Sequence, residues 1–113
     1  MPFIKLITNV GMDDATKTAV KAAFGEAITA VPGKSEAWLM VQIDADCDLW
    51  FKGDDSPAAI AEVSVFGHAD HSAYEKLTSG ICSVLQEKLS IPPSRTYVKY
   101  AETDEWGWNN MNF

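Results

Sequence analysis

The chain has 113 residues, 47% hydrophobic and 22% charged, with 16 acidic against 9 basic side chains for a net charge of −7. A single domain over residues 1–113 is what this length supports, and neither disorder nor a disulfide-dense scaffold fits the composition. The acidic balance repels phosphate backbones and anionic head groups, which argues against nucleic acid and membrane as partners.

Cys47 and Cys82 are too few for a disulfide framework and read as reduced thiols. No apolar run approaches the roughly 18 residues of a membrane span. No charged segment followed by a long apolar one precedes the domain, so the expected location is cytoplasmic.

The opening "MPFIKLITNV" alternates as a strand does. "DDATKTAVKAAFGEAITAV" follows with Val20, Phe24, Ala27, Ile28 and Val31 on one helical stripe, and Asp13 or Asp14 can cap its start. "AWLMVQI" reads as the next strand and "LWFKG" as a short edge piece. "AAIAEVSVFG" is a third full strand.

A second helix covers "SAYEKLTSGICSVLQEKLSI", with Tyr74, Leu77, Ile81, Val84, Leu85 and Leu89 on its apolar stripe. Ser72 and Glu75 have capping-box spacing, and Pro92 and Pro93 end the segment. "RTYVKY" is the last strand. The order makes two βαβ units, and "VPGKSEAWLMV" and "IPPSRTYVKY" echo one another, so the chain reads as an α/β pseudo-repeat.

Strand residues point alternately to opposite faces. One face collects Ile4, Leu6, Leu39, Val41, Ile43, Ala61, Val63, Val65, Val98 and Tyr100, and two helices cover it. The other collects Phe3, Trp38, Met40, Ile60, Phe66 and Tyr97 beside Lys5, Gln42, Glu62 and Lys99. That face is too apolar for water and too charged for a dry core, so the chain is expected to associate with copies of itself.

The chemistry-bearing candidates are few. "DADCDLWFKGDD" lacks the sixth-position Gly and twelfth-position Glu of an EF-hand and reads as a solvated acidic turn. "GHADHS" offers His68, Asp70 and His71 without a further ligand cluster, which reads as a surface turn; no metal is expected. Cys82 reads as a semi-buried helix residue.

Pro2 has two readings. Proline early in an edge strand is tolerated because its missing N–H matters least there. Removal of Met1, however, makes its nitrogen a secondary amine, and burial or a nearby cation brings such an amine into the range of a general base. An isomerase of this kind also needs a cation and donors for developing negative charge; Lys34 is the best placed by type, with Tyr97, Trp38, Trp106 and Trp108 as aromatic walls.

Taken together, "MPFIKLITNV", "GKSEAWLMV", "SPAAIAEVSVFG", "IPPSRTYVKY" and "GWNNMNF" resemble, in order and over essentially the whole chain, the macrophage migration inhibitory factor and D-dopachrome tautomerase family. The resemblance implies a four-stranded mixed sheet under two antiparallel helices, assembled as a homotrimer. It also implies cofactor-free keto–enol tautomerisation of phenylpyruvate-type α-keto acids and D-dopachrome analogues at sites between subunits. Pro2 then shuttles the proton, Lys34 engages substrate, Phe66 supplies a backbone N–H, and Tyr97 comes from the neighbouring subunit. Trp108 and Phe113 match aromatic positions at the pocket mouth.

Some positions depart from the animal pattern. Phe66 replaces an aliphatic residue, Lys99 a neutral amide and Trp106 a smaller aliphatic, and "PAAIA" lacks the Cys-x-x-Cys of the animal cytokines. An alternative implied by the same resemblance is a cytokine-like protein, secreted without a signal peptide, that binds a receptor.

Overall fold

Strict alternation of buried and half-buried residues over Pro2–Thr8 marks the first strand, β1, of a computed structural model that describes Met1–Phe113 throughout. Helix α1 follows over Asp14–Ala27 and tightens into a 3-10 turn at Ile28–Ala30. Asp13 is its cap, accepting from the Thr16 amide at 2.7 Å. The remaining elements are β2 (Met40–Asp44), β3 (Ala59–Phe66), α2 (His71–Leu89), β4 (Thr96–Thr103) and the two-residue strands β5 (Gly107–Trp108) and β6 (Met111–Asn112).

The sheet order is β2-β1-β3-β4. β1 runs parallel to β2, β3 parallel to β4, and the two inner strands antiparallel to each other, so the two βαβ units meet at one central seam. Both helices lie on one face. Between them and the sheet, Ile4, Leu6, Phe24, Ile28, Ala61, Val63, Val65, Leu77, Ile81 and Leu85 are buried, each large aliphatic or aromatic side chain contributing roughly 1.5–3 kcal/mol. The allotment of residues to faces read from alternation holds across all four strands. No helix is long and apolar enough to cross a membrane.

Four local expectations need correction. β1 is an interior strand, so tolerance at a sheet edge does not account for Pro2; the proline falls instead at the strand's first residue. Glu36–Trp38 forms a 3-10 turn closed by the Leu39 amide on the Glu36 carbonyl at 3.1 Å, which delays β2 to Met40.

"LWFKG" adds no strand to the sheet. Lys52 and Gly53 both have positive φ, 53° and 82°, and Phe51 and Asp54 exchange backbone hydrogen bonds of 2.9 and 3.2 Å around them. The result is a two-residue hairpin that folds back on itself. Asn9 anchors the surrounding loop by donating to the carbonyls of Leu49, Asp55 and Ser56 and accepting from the Ala58 amide.

The expected capping box at the second helix is also absent. α2 begins at His71 with Asp70 as cap, which puts Ser72 inside the first turn. The Glu75 carboxylate pairs instead with His71 Nε2, one helical turn back, at 2.9 Å.

Candidate active site

The end of the sheet where β1 begins gathers most of the expected site residues. Pro2 is buried and sits in register with Val65 on β3, whose own partner on β4 is Glu102. Lys34 reaches this row from the turn after α1. Gly33, at φ 79°, supplies the left-handed step that a side chain disfavours, and the Lys34 amide then bonds the Val31 carbonyl at 3.1 Å. The Lys34 ammonium donates to the Phe66 carbonyl at 2.8 Å, and the Phe66 amide donates to the Met1 carbonyl at 3.0 Å.

Met1 stands at the centre of this arrangement. It lines a cavity of about 770 Å³ with Pro2, Phe3, Trp38, Trp106 and Trp108, and a smaller one of about 230 Å³ with Gly33, Trp38, Phe66 and Phe113. Its amine is held down to about 6, first by burial, then by hydrogen bonding and Coulomb repulsion from Lys34. The Pro2 nitrogen is an amide in this chain. The basic nitrogen of the site is therefore that of Met1.

The aromatic residues form a connected wall. Trp38 meets Trp108 edge-on at 5.0 Å, Trp108 stacks on Phe113 at 6.2 Å, and Phe113 lies 5.5 Å from Phe66. The hairpin of β5 and β6 carries this wall, and the Phe113 amide fastens it to the Trp106 carbonyl at 3.1 Å. Phe66 thus joins the wall through its ring while its backbone binds Met1 and Lys34.

Pro2, Lys34, Phe66, Trp108 and Phe113 are accordingly together. Tyr97 and Lys99 are not. Tyr97 pairs with Ile60, about 17 Å along the sheet from the Pro2 row at strand rise, and Lys99 pairs with Glu62. Glu62 is also the partner of Lys5, so the extra cation noted in the sequence has a carboxylate as its same-face neighbour.

Sequence reading missed two contributions to the cavity. Ala101, Glu102 and Thr103 line it because β4 runs past Tyr100, three residues beyond the strand that "RTYVKY" predicts. The Glu102 carboxylate itself turns to the helix side, where the Tyr74 hydroxyl, at 2.6 Å, and the Ala69 amide, at 3.1 Å, donate to it, and His68 pairs with it. These bonds, led by that of Tyr74, hold its pKa below the usual carboxylate value. The other omission is Met1, whose carbonyl occupies the Phe66 donor; no motif signals that contact.

Known proteins share both sequence and fold with this chain. The family described as Macrophage migration inhibitory factor (MIF) matches residues 1–112. A macrophage migration inhibitory factor homolog of Trichinella spiralis is 29% identical, with the whole of both chains covered. The crystal structure of the MIF2 protein of Leishmania major agrees with a TM-score of 0.93 at 32% identity, over 100% of this chain and 97% of that one. At 13% identity, a crystallised protein inactivated by 2-oxo-3-pentynoate shares the fold, with a TM-score of 0.86 over 97% of this chain and 95% of that one. Matched over nearly its full length in sequence and in structure, the chain belongs to the macrophage migration inhibitory factor family.

Proposed function

We propose that the chain is a cofactor-free keto–enol tautomerase of phenylpyruvate-type aromatic α-keto acids, with D-dopachrome-like compounds as alternative substrates. Pro2, freed of Met1, moves the proton. The observation that carries this reading is the meeting, around Met1, of an N-terminal amine of lowered basicity with the Lys34 ammonium and the Phe66 amide, beside the apolar cavities that Met1 lines.

Loss of Met1 turns the Pro2 nitrogen into a secondary amine in the same surroundings. Burial and a nearby Lys34 both disfavour charge on an amine at this place, which favours the free form that a general base needs. That base takes a proton from the carbon next to the ketone while negative charge grows on the ketone oxygen. Lys34 and the vacated Phe66 N–H are the donors available to the developing charge and to the substrate carboxylate. The protonated Pro2 then gives that proton to the ketone oxygen to complete the enol, and in the opposite direction it takes the enol O–H proton and returns it to the same carbon. Trp38, Trp106 and Trp108 keep water out and strengthen these interactions.

A homotrimer completes the reading. The uncovered sheet face, with Met40 69% and Tyr97 61% exposed, is buried against other copies, and Tyr97 and Lys99 of one copy serve the Pro2 site of the next. The test is phenylpyruvate tautomerisation by wild type and Pro2→Gly, with the absence of Met1 established by intact mass. The expected loss is about 10²- to 10⁴-fold, the range of a general base. A trimeric, Met-free Pro2→Gly variant with wild-type rate overturns the proposal.

A further inference from the structure

We infer that Phe51, backed by Arg95, is a positioning residue that aims the Tyr97 ring toward the site of a neighbouring copy; this rests on the function proposed above. Tyr97 projects from the uncovered face of β4, and its hydroxyl makes no hydrogen bond within the chain. Strand backbone leaves two side-chain rotamers readily accessible, so β4 alone does not fix the direction of the ring. The Phe51 ring does: it meets Tyr97 edge-to-face, with centroids 5.1 Å apart and planes at 87°.

Phe51 is itself held with unusual thoroughness for a loop residue. The Arg95 guanidinium lies 5.3 Å from its ring centroid, and the Lys52 ammonium 5.6 Å. The same guanidinium donates to the carbonyls of Phe51 at 3.2 Å, Asp54 at 3.2 Å, Ser56 at 3.0 Å and Pro57 at 3.0 Å, and pairs with the Asp54 carboxylate at 3.0 Å. One fork thereby locks a whole hairpin, and the hairpin holds one ring. Arg95 also stands two residues before Tyr97, at the entry to β4, so ring and support share a single rigid base.

The chemical sense lies in orientation. A phenol that must meet substrate across a subunit boundary loses binding if its ring samples other rotamers, and a preset ring removes that loss. The effect belongs to substrate binding rather than to proton transfer.

The test compares phenylpyruvate kinetics of wild type, Phe51→Leu, Phe51→Tyr, Tyr97→Ala and the Phe51→Leu/Tyr97→Ala double variant, with thermal unfolding of each. Phe51→Leu is expected to raise KM about 3- to 10-fold, the equivalent of one lost ring pair, with kcat nearly unchanged. Phe51→Tyr restores it. In the Tyr97→Ala background the Leu substitution has no further effect, because the two residues act as a unit. Should Phe51→Leu fail to fold, Arg95→Lys, which keeps the charge and loses the fork, is expected to raise KM in the same way. A Tyr97→Ala effect joined by none from Phe51, or by an equal effect of Phe51→Leu in both backgrounds, overturns the positioning role and leaves the tautomerase reading standing. Wild-type kinetics in Tyr97→Ala overturns the assignment of Tyr97 as a substrate contact, and the inference with it.

Discussion

The Phe66 amide donates to the Met1 carbonyl at 3.0 Å. The first residue of the chain thus occupies the backbone donor expected to meet substrate, and its peptide bond removes the basicity of Pro2. One cleavage exposes base and donor together.

Protein that retains Met1 is therefore expected to tautomerise phenylpyruvate about 10²- to 10⁴-fold more slowly than processed protein. Intact-mass spectrometry of fractions with measured rates checks this. Equal rates in the two forms sink the role of the N-terminal amine.

The unprocessed form has its own signature. Burial and Lys34 hold the Met1 amine at about 6, against 8.0 for an ordinary N-terminus. At pH 7 it is mostly free base while lysine side chains are charged. Brief acylation at pH 7 is expected to modify Met1 ahead of the lysines, with a reactivity midpoint near pH 6, read by peptide mass spectrometry. Because the folded amine is the weaker base, the unfolded chain binds more protons between about pH 6 and 8, and stability rises with pH across that window. A midpoint at 8 contradicts the burial of this group.

His68 reports on the end of β4. Its Nδ1 lies 3.1 Å from Glu102 and its Nε2 3.3 Å from Asp104. The bond to Glu102, followed by attraction to both carboxylates, raises the ring above 6.5. The sign is that of a raised base: its stabilisation is complete below pH 6.5 and fades as pH climbs through the folded value. The side chain is 71% exposed, so the ring's own titration is the sensitive measure. Its NMR midpoint is expected above 6.5 and to move back toward 6.5 in Glu102→Gln; a midpoint that ignores this substitution rules out the pairing.

Helix α2 ends on strain. Ser90 takes left-handed angles, φ 55° and ψ 33°, so that its amide and that of Ile91 bond back to Gln86 and Leu85 at 3.1 and 3.2 Å. A non-glycine residue there costs roughly 1–2 kcal/mol. Ser90→Gly is expected to stabilise the protein by about 1 kcal/mol in urea denaturation, and a loss of stability would contradict the strained cap.

The layer of the fold was legible because alternation in Pro2–Thr8 and Ala59–Phe66 and helical spacing from Val20 to Leu89 each need only local pattern. Caps and turns were less so. Asp70 rather than Ser72 starts α2, and the Glu75 carboxylate goes to His71 four residues back rather than to Ser72 three back, a choice between two partners within reach. Lys52–Gly53 reads as strand because it follows the apolar, strand-favouring run Leu49, Trp50 and Phe51, and a lysine does not announce the left-handed angles it adopts. In the site, Pro2, Lys34, Phe66, Trp108 and Phe113 come together at the end of the sheet where β1 begins, whereas Tyr97 and Lys99 do not. The contribution of Ala101–Thr103 depends on the register of β4 against β3, which no single segment encodes.

The seam between β1 and β3 has a kinetic consequence. It joins Pro2 to Val65 and Thr8 to Ala59, across an intervening helix, strand and loop. Either βαβ half alone has two parallel strands and one helix, too little to bury Ile4 and Leu6 or Val63 and Val65 on its own. Closing so long a segment costs chain entropy before any contact repays it, so seam formation is expected to limit the folding rate. Substitutions at Ile4 and Val63 are then expected to slow folding, and substitutions in the outer strands mainly to speed unfolding.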